Sequence, residues 1–102
     1  MKYQLVLQFP AGDKADFDKL LDLEGKIVNQ IGSDHEVDGH DFGCSEMNIF
    51  IHTDDVEAAF FDIQKVISIN TFPGLKVAYR LLEAEEYTLL WPNEKGGTFS
   101  IL

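Results

Sequence analysis

The chain has 102 residues, 45% of them hydrophobic and 12% aromatic, which is enough apolar material for one core and leaves no room for a second. Eighteen acidic residues against eight basic ones give a formal charge of −10, so the average field repels nucleic-acid phosphates and anionic membrane surfaces. Cys44 is the single cysteine, which excludes an internal disulfide and every zinc pattern that needs two thiolates.

No stretch approaches the ~18 apolar residues of a membrane span, and the N-terminus leads into a short alternating run rather than an apolar leader. The expectation is one cytoplasmic domain over residues 1–102.

Lys2 to Phe9 alternates, with Tyr3, Leu5, Leu7 and Phe9 on one side, and so reads as a half-buried strand. Pro10-Ala11-Gly12 breaks it. Asp13 then caps a helix whose apolar positions, Phe17, Leu20, Leu21, Ile27, Val28 and Ile31, recur until Gly32. Gly25 weakens that helix by about 1 kcal/mol relative to alanine.

Ser33 to Phe42 carries four carboxylates among few apolar residues and reads as an irregular or edge strand. Gly43 to Glu46 forms a hairpin loop, followed by the clearest strand in the chain, with Met47, Ile49 and Ile51 facing one way and Asn48, Phe50 and His52 the other. Thr53 or Asp54 caps a second helix with Val56, Ala59, Phe60, Ile63 and Ile67 as its buried stripe. After Pro73-Gly74, Leu75 to Leu82 alternates as a fourth strand. Glu83 to Glu86 is an acidic turn, and Tyr87 to Trp91 and Thr98 to Leu102 form a C-terminal β-hairpin.

The element order β, α, β, β, α, β with right-handed crossovers gives an α+β fold with a ferredoxin-like βαββαβ core: an antiparallel sheet with both helices on one face. Pairing Leu7 with Ile49 and Val77, and Leu5 with Ile51 and Tyr79, puts every buried set on the helix side. The opposite face then carries the rows Gln8, Asn48, Lys76; Val6, Phe50, Ala78; and Gln4, His52, Arg80. An exposed Val6, Phe50, Trp91 and Leu102 would make a large apolar patch, so a homodimer is expected.

His35 and His40 with Asp34, Glu36, Asp38 and Asp41 supply the ligand types of a divalent metal, but their spacing matches no established loop, and no metal or other cofactor is implied. Cys44 lies near Glu46, a carboxylate that disfavours its thiolate, so it is a poor nucleophile. If Phe42 pairs beside Asn48, Asp38 and His40 approach His52 and Arg80. A candidate ligand site of Gln4, Asp38, His40, Asn48, His52 and Arg80 results, with Asp38 orienting His52 and Arg80 neutralising a small anion. A shift of one residue sends His40 beneath the helices, and Gly39 invites a bulge that would cause it.

The stretch Asp38 to Asp55, with Gly39-His40-Asp41-Phe42-Gly43, then Glu46-Met47-Asn48-Ile49-Phe50-Ile51 and Thr53-Asp54-Asp55, resembles a segment of a family of small uncharacterised bacterial proteins and implies no activity. At fold level the chain resembles dimeric ferredoxin-like proteins, whose functions are diverse. Two functions follow as expectations. One is an interaction module using the outer sheet face, such as an acidic inhibitor or immunity-type protein of a basic partner. The other is a small enzyme or sensor with an anion site at His52 and Arg80.

Overall fold

The alternating N-terminal run becomes β1 (Tyr3–Pro10), which pairs antiparallel with β3 (Glu46–Thr53) on one edge and β4 (Lys76–Leu81) on the other. β2 (His35–Gly43) lies outside β3 and β5 (Thr88–Trp91) outside β4, so the sheet order is β2-β3-β1-β4-β5. Two helices, α1 (Lys14–Gln30) and α2 (Val56–Gln64), complete an α+β domain with an open antiparallel sheet. The structure is a computed structural model that describes residues 2–31, 34–43, 45–68, 72–92 and 99.

Leu7 stands between Ile49 and Val77, and Leu5 between Ile51 and Tyr79, the register that side-chain parity requires. These odd-numbered residues form one core with Leu20, Leu23 and Ile27 from α1, with Ile31 at its C-cap, and with Val56, Ala59, Ile63 and Ile67 from α2 and the turn after it. Both helices therefore cover the same face of the sheet.

Asp13 caps α1 by accepting the Asp16 N–H at 2.9 Å, and Asp16 Oδ2 accepts the Gly12 N–H in return. The buried stripe of this helix differs from the one its sequence suggests. Leu20, Leu23, Ile27 and Ile31, spaced 3, 4 and 4, face the core, whereas Leu21 and Val28 are 38% and 54% exposed. A helix contacts a sheet along one narrow line, so an apolar arc wider than that line leaves part of itself outside.

α2 is capped by Asp55, whose Oδ1 accepts the Ala58 N–H, and not by Thr53 or Asp54. Thr53 is still inside β3, with its hydroxyl turned to the core side, and Asp54 Oδ1 accepts the Lys2 N–H.

Between Val37, opposite Ile51, and Gly39, opposite Phe50, the register of β2 slips by one residue, and Asp38 is the extra residue of a bulge. Gly39 has φ +139°, a conformation costly for any residue with a Cβ. Gly74, at φ +80°, is held by space as well, since a Cβ there would sit 2.7 Å from Pro10 Cγ. β5 follows the sequence reading from Thr88 to Trp91 and pairs with β4. Cys44 and, apart from Phe99, the expected last strand at Thr98 to Leu102 lie outside the described residues.

The middle of the sheet face away from the helices is covered in the monomer: Val6, Asn48 and Ala78 are 0% exposed. At its Gln4 end the cover includes Tyr87, whose hydroxyl donates to Gln4 Oε1 at 3.0 Å, and Phe99, whose ring lies 5.0 Å from that of Tyr87. Val6, at the centre of the apolar patch expected to drive self-association, is thus not at the surface.

The assigned faces predict that Ile49→Asp abolishes cooperative unfolding in urea, because it leaves an unpaired charge in the core. Gly25 is an exposed helical residue with nothing within 4 Å of a built Cβ, so Gly25→Ala should raise stability by about 0.5–1 kcal/mol in the same measurement.

Candidate functional site

Strand register lines up Glu36, His52, Gln4 and Arg80 as one polar row across β2, β3, β1 and β4 on the outer face. The bulge swings Asp38 into that row, where its Oδ2 lies 3.7 Å from His52 Nε2. Asp38 is half exposed and His52 partly so. Three of the expected site residues, Gln4, His52 and Arg80, therefore stand side by side, and Asp38 joins them from the edge.

Arg80 turns its Nε and Nη1 groups toward the chain itself. Its Nη1 donates to the carbonyls of Leu81 at 3.3 Å, Leu82 at 3.1 Å and Ala84 at 2.8 Å. Its Nε donates to Gln4 Oε1 at 3.1 Å and makes a longer contact of 3.4 Å with the Tyr87 hydroxyl. The guanidinium carbon also lies 5.8 Å from the Tyr87 ring centre. The contacts with Leu82, Ala84 and Tyr87 thus fasten the acidic turn after β4 to the sheet, where Gln4 and Leu81 hold the same side chain. Gln4 Oε1 accepts from both Arg80 and Tyr87, so it belongs to the same clamp.

Asn48 lies four residues from His52 along β3, in the row with Asp41, Gln8 and Lys76. Its Oδ1 accepts from Gln8 Nε2 at 3.1 Å. Its Nδ2 is buried with no hydrogen-bond partner among the described residues, at a cost of about 1–3 kcal/mol.

His40 is separated from the other site residues. The bulge places Phe42 opposite Met47 and not beside Asn48, so beyond Gly39 the even-numbered residues of β2 turn to the helix side. There His40 Nδ1 meets both carboxylate oxygens of Glu24 at 3.0 and 3.1 Å, and its ring lies 5.1 Å from that of Phe42. The two imidazoles of the acidic segment are likewise parted from its carboxylates. Among the described residues, no three His, Cys, Asp or Glu side chains are placed to hold a metal ion.

One polar cluster was not visible in the sequence. His35 Nδ1 lies 2.7 Å from Thr53 Oγ1, and its Nε2 lies 3.3 Å from Asp62 Oδ2, whose other oxygen is 3.3 Å from Lys65 Nζ. Thr53 Oγ1 also accepts the Asp55 N–H at 2.9 Å and donates to the Asp55 carbonyl at 3.0 Å. The order hydroxyl, imidazole, carboxylate is that of an acyl-transfer relay. The Thr53 side chain is wholly buried, however, and no substrate carbonyl can reach it. The cluster therefore ties β2, β3 and α2 together. Its signal was available only as His35 opposite Thr53, a parity that the bulge at Asp38 obscures.

At the same end of the sheet a hollow of about 270 Å³ opens between Tyr3, Tyr79 and Leu90 and the start of α2. Two of the three carboxylates on its rim, beside Glu57, are engaged: Asp54 accepts the Lys2 N–H and Asp55 caps the helix.

No family model, curated protein or solved structure matches the chain. Among the described residues, no helix is long and apolar enough to cross a membrane.

Removal of the clamp should loosen the turn it holds, so Arg80→Ala is expected to cost about 2 kcal/mol in urea denaturation. A change below about 0.5 kcal/mol would return Arg80 to the list of free ligand-binding cations. Thr53→Val keeps the volume of the side chain and removes three hydrogen-bond contacts, so it should lower stability by about 1–3 kcal/mol.

Proposed function

We propose that the chain is a protein-interaction module that engages a basic partner through its acidic outer strand. The observation that carries this reading is the position of Glu36, Asp38 and Asp41. All three are exposed on β2, which among the described residues is hydrogen-bonded along one edge only, and Asp34 is exposed just before it. With a formal charge of −10, the field of the whole chain reinforces that surface and speeds encounter with a cationic one.

An inhibitor or immunity-type role toward a basic protein in the cytoplasm is the version that uses every part of this arrangement. The order β2-β3-β1-β4, with both helices on one face, supports a ferredoxin-like core as its scaffold, with β5 added at the far edge. A small-anion sensor at His52 and Arg80 fits less well, because the Nε and Nη1 groups of Arg80 are committed to the turn.

An octalysine peptide tests the reading. Its amide perturbations in NMR titration should centre on residues 34–43, although carboxylates are spread over the whole chain. Replacing Asp34, Glu36, Asp38 and Asp41 by their amides should weaken binding about tenfold and flatten its salt dependence. The charge-matched change at Asp18, Glu57, Glu83 and Glu85 should alter it by less than about threefold. Perturbations spread evenly over all acidic surfaces would defeat the proposal.

A further inference from the structure

We propose that β2 is a strand-addition site and that its partner is an extended segment in which basic and apolar residues alternate. This rests on reading the acidic strand as an interaction surface and adds the conformation and pattern of what binds there.

β2 is nine residues long, and among the described residues no strand pairs with its outer edge. Such an edge presents a row of free N–H and C=O groups to any extended chain of suitable pattern. The two sides of this edge differ in chemistry. On the outer face stand Glu36 and Asp41, with Asp38 projecting from the bulge.

On the helix side, α1 turns an apolar strip toward β2. Phe17 touches Phe42 with ring centres 4.2 Å apart, and Glu24 touches His40. Leu21 lies between those two contact points at helical spacing, and Val28 lies one turn beyond Glu24. Phe42, Leu21 and Val28 are 40%, 38% and 54% exposed, although the sheet next to them is tightly packed.

An added strand has side chains of period two, so one set would lie over this strip while the other stood beside the carboxylates. Charge complementarity then makes the second set basic. A second copy of the chain is the wrong occupant, because symmetric pairing through β2 would set Glu36, Asp38 and Asp41 against the same carboxylates.

Two synthetic nine-residue peptides of equal composition test the proposal, one alternating lysine with valine and the other carrying all its lysines before its valines. The alternating peptide should bind at least tenfold more tightly and slow hydrogen exchange at those β2 amides that point away from β3. Leu21→Ser and Val28→Ser, both at exposed positions, should each weaken it about threefold or more with unchanged urea midpoints. Equal affinity of the two peptides, with perturbations still centred on Glu36, Asp38 and Asp41, would overturn strand addition while leaving the acidic-surface reading intact. No response of β2 to either peptide would overturn both. Sedimentation of the chain alone supplies the last arm: a dimer that Leu21→Ser abolishes would make a second copy the occupant and overturn the proposal.

Discussion

Because β1 is hydrogen-bonded along both edges, the parity of its eight residues decides on which side every neighbouring strand places its side chains. Leu5 and Leu7 on the helix side draw Ile49, Ile51, Val77 and Tyr79 to that side with them. Gln4 and Gln8 hold the polar rows on the other. A slip of one residue in either pairing would expose a whole apolar set. The central register is therefore enforced by the burial of all these side chains together and not by any single contact.

That enforcement weakens toward the edge. Among the described residues β2 has one neighbouring strand, and it has few apolar residues, so it accommodates an extra residue at Asp38, and the left-handed conformation of Gly39 makes the bulge affordable. One inserted residue reverses the facing of everything after it. His35 stays with Thr53 in the interior, Asp38 reaches His52, and His40 and Phe42 pass to the helix side beside Glu24 and Phe17. The two chemistries on either side of the outer strand, acidic above and apolar below, are products of this single irregularity.

Several of the eight cations of the chain are engaged by its own side chains and carbonyls. Arg80 closes the turn after β4, Lys65 meets Asp62 while lying 5.0 Å from the Phe61 ring centre, and Lys26 pairs with Asp22 along α1. The acidic surplus is left to face solvent. A surface so one-sided in charge favours partners of the opposite sign, and its position on an outer strand gives that preference a place to act.

Periodicity in the amino-acid sequence determined the order of the elements, the Asp13 cap and the pairing of the three inner strands. Each of these follows from local patterning that burial makes unambiguous. The row of Gln4, His52 and Arg80 came with that pairing. What Arg80 does in the row did not, because its partners are backbone carbonyls of a turn, and carbonyls carry no sequence signal. The exposure of Leu21 and Val28, the departure of His40 and the burial of His35 with Thr53 and Asp62 were also decided only in the folded chain. A helix buries one line of its apolar arc, and an edge strand chooses its register by long-range contact. Both choices are made between residues far apart in the chain, where no local pattern reaches.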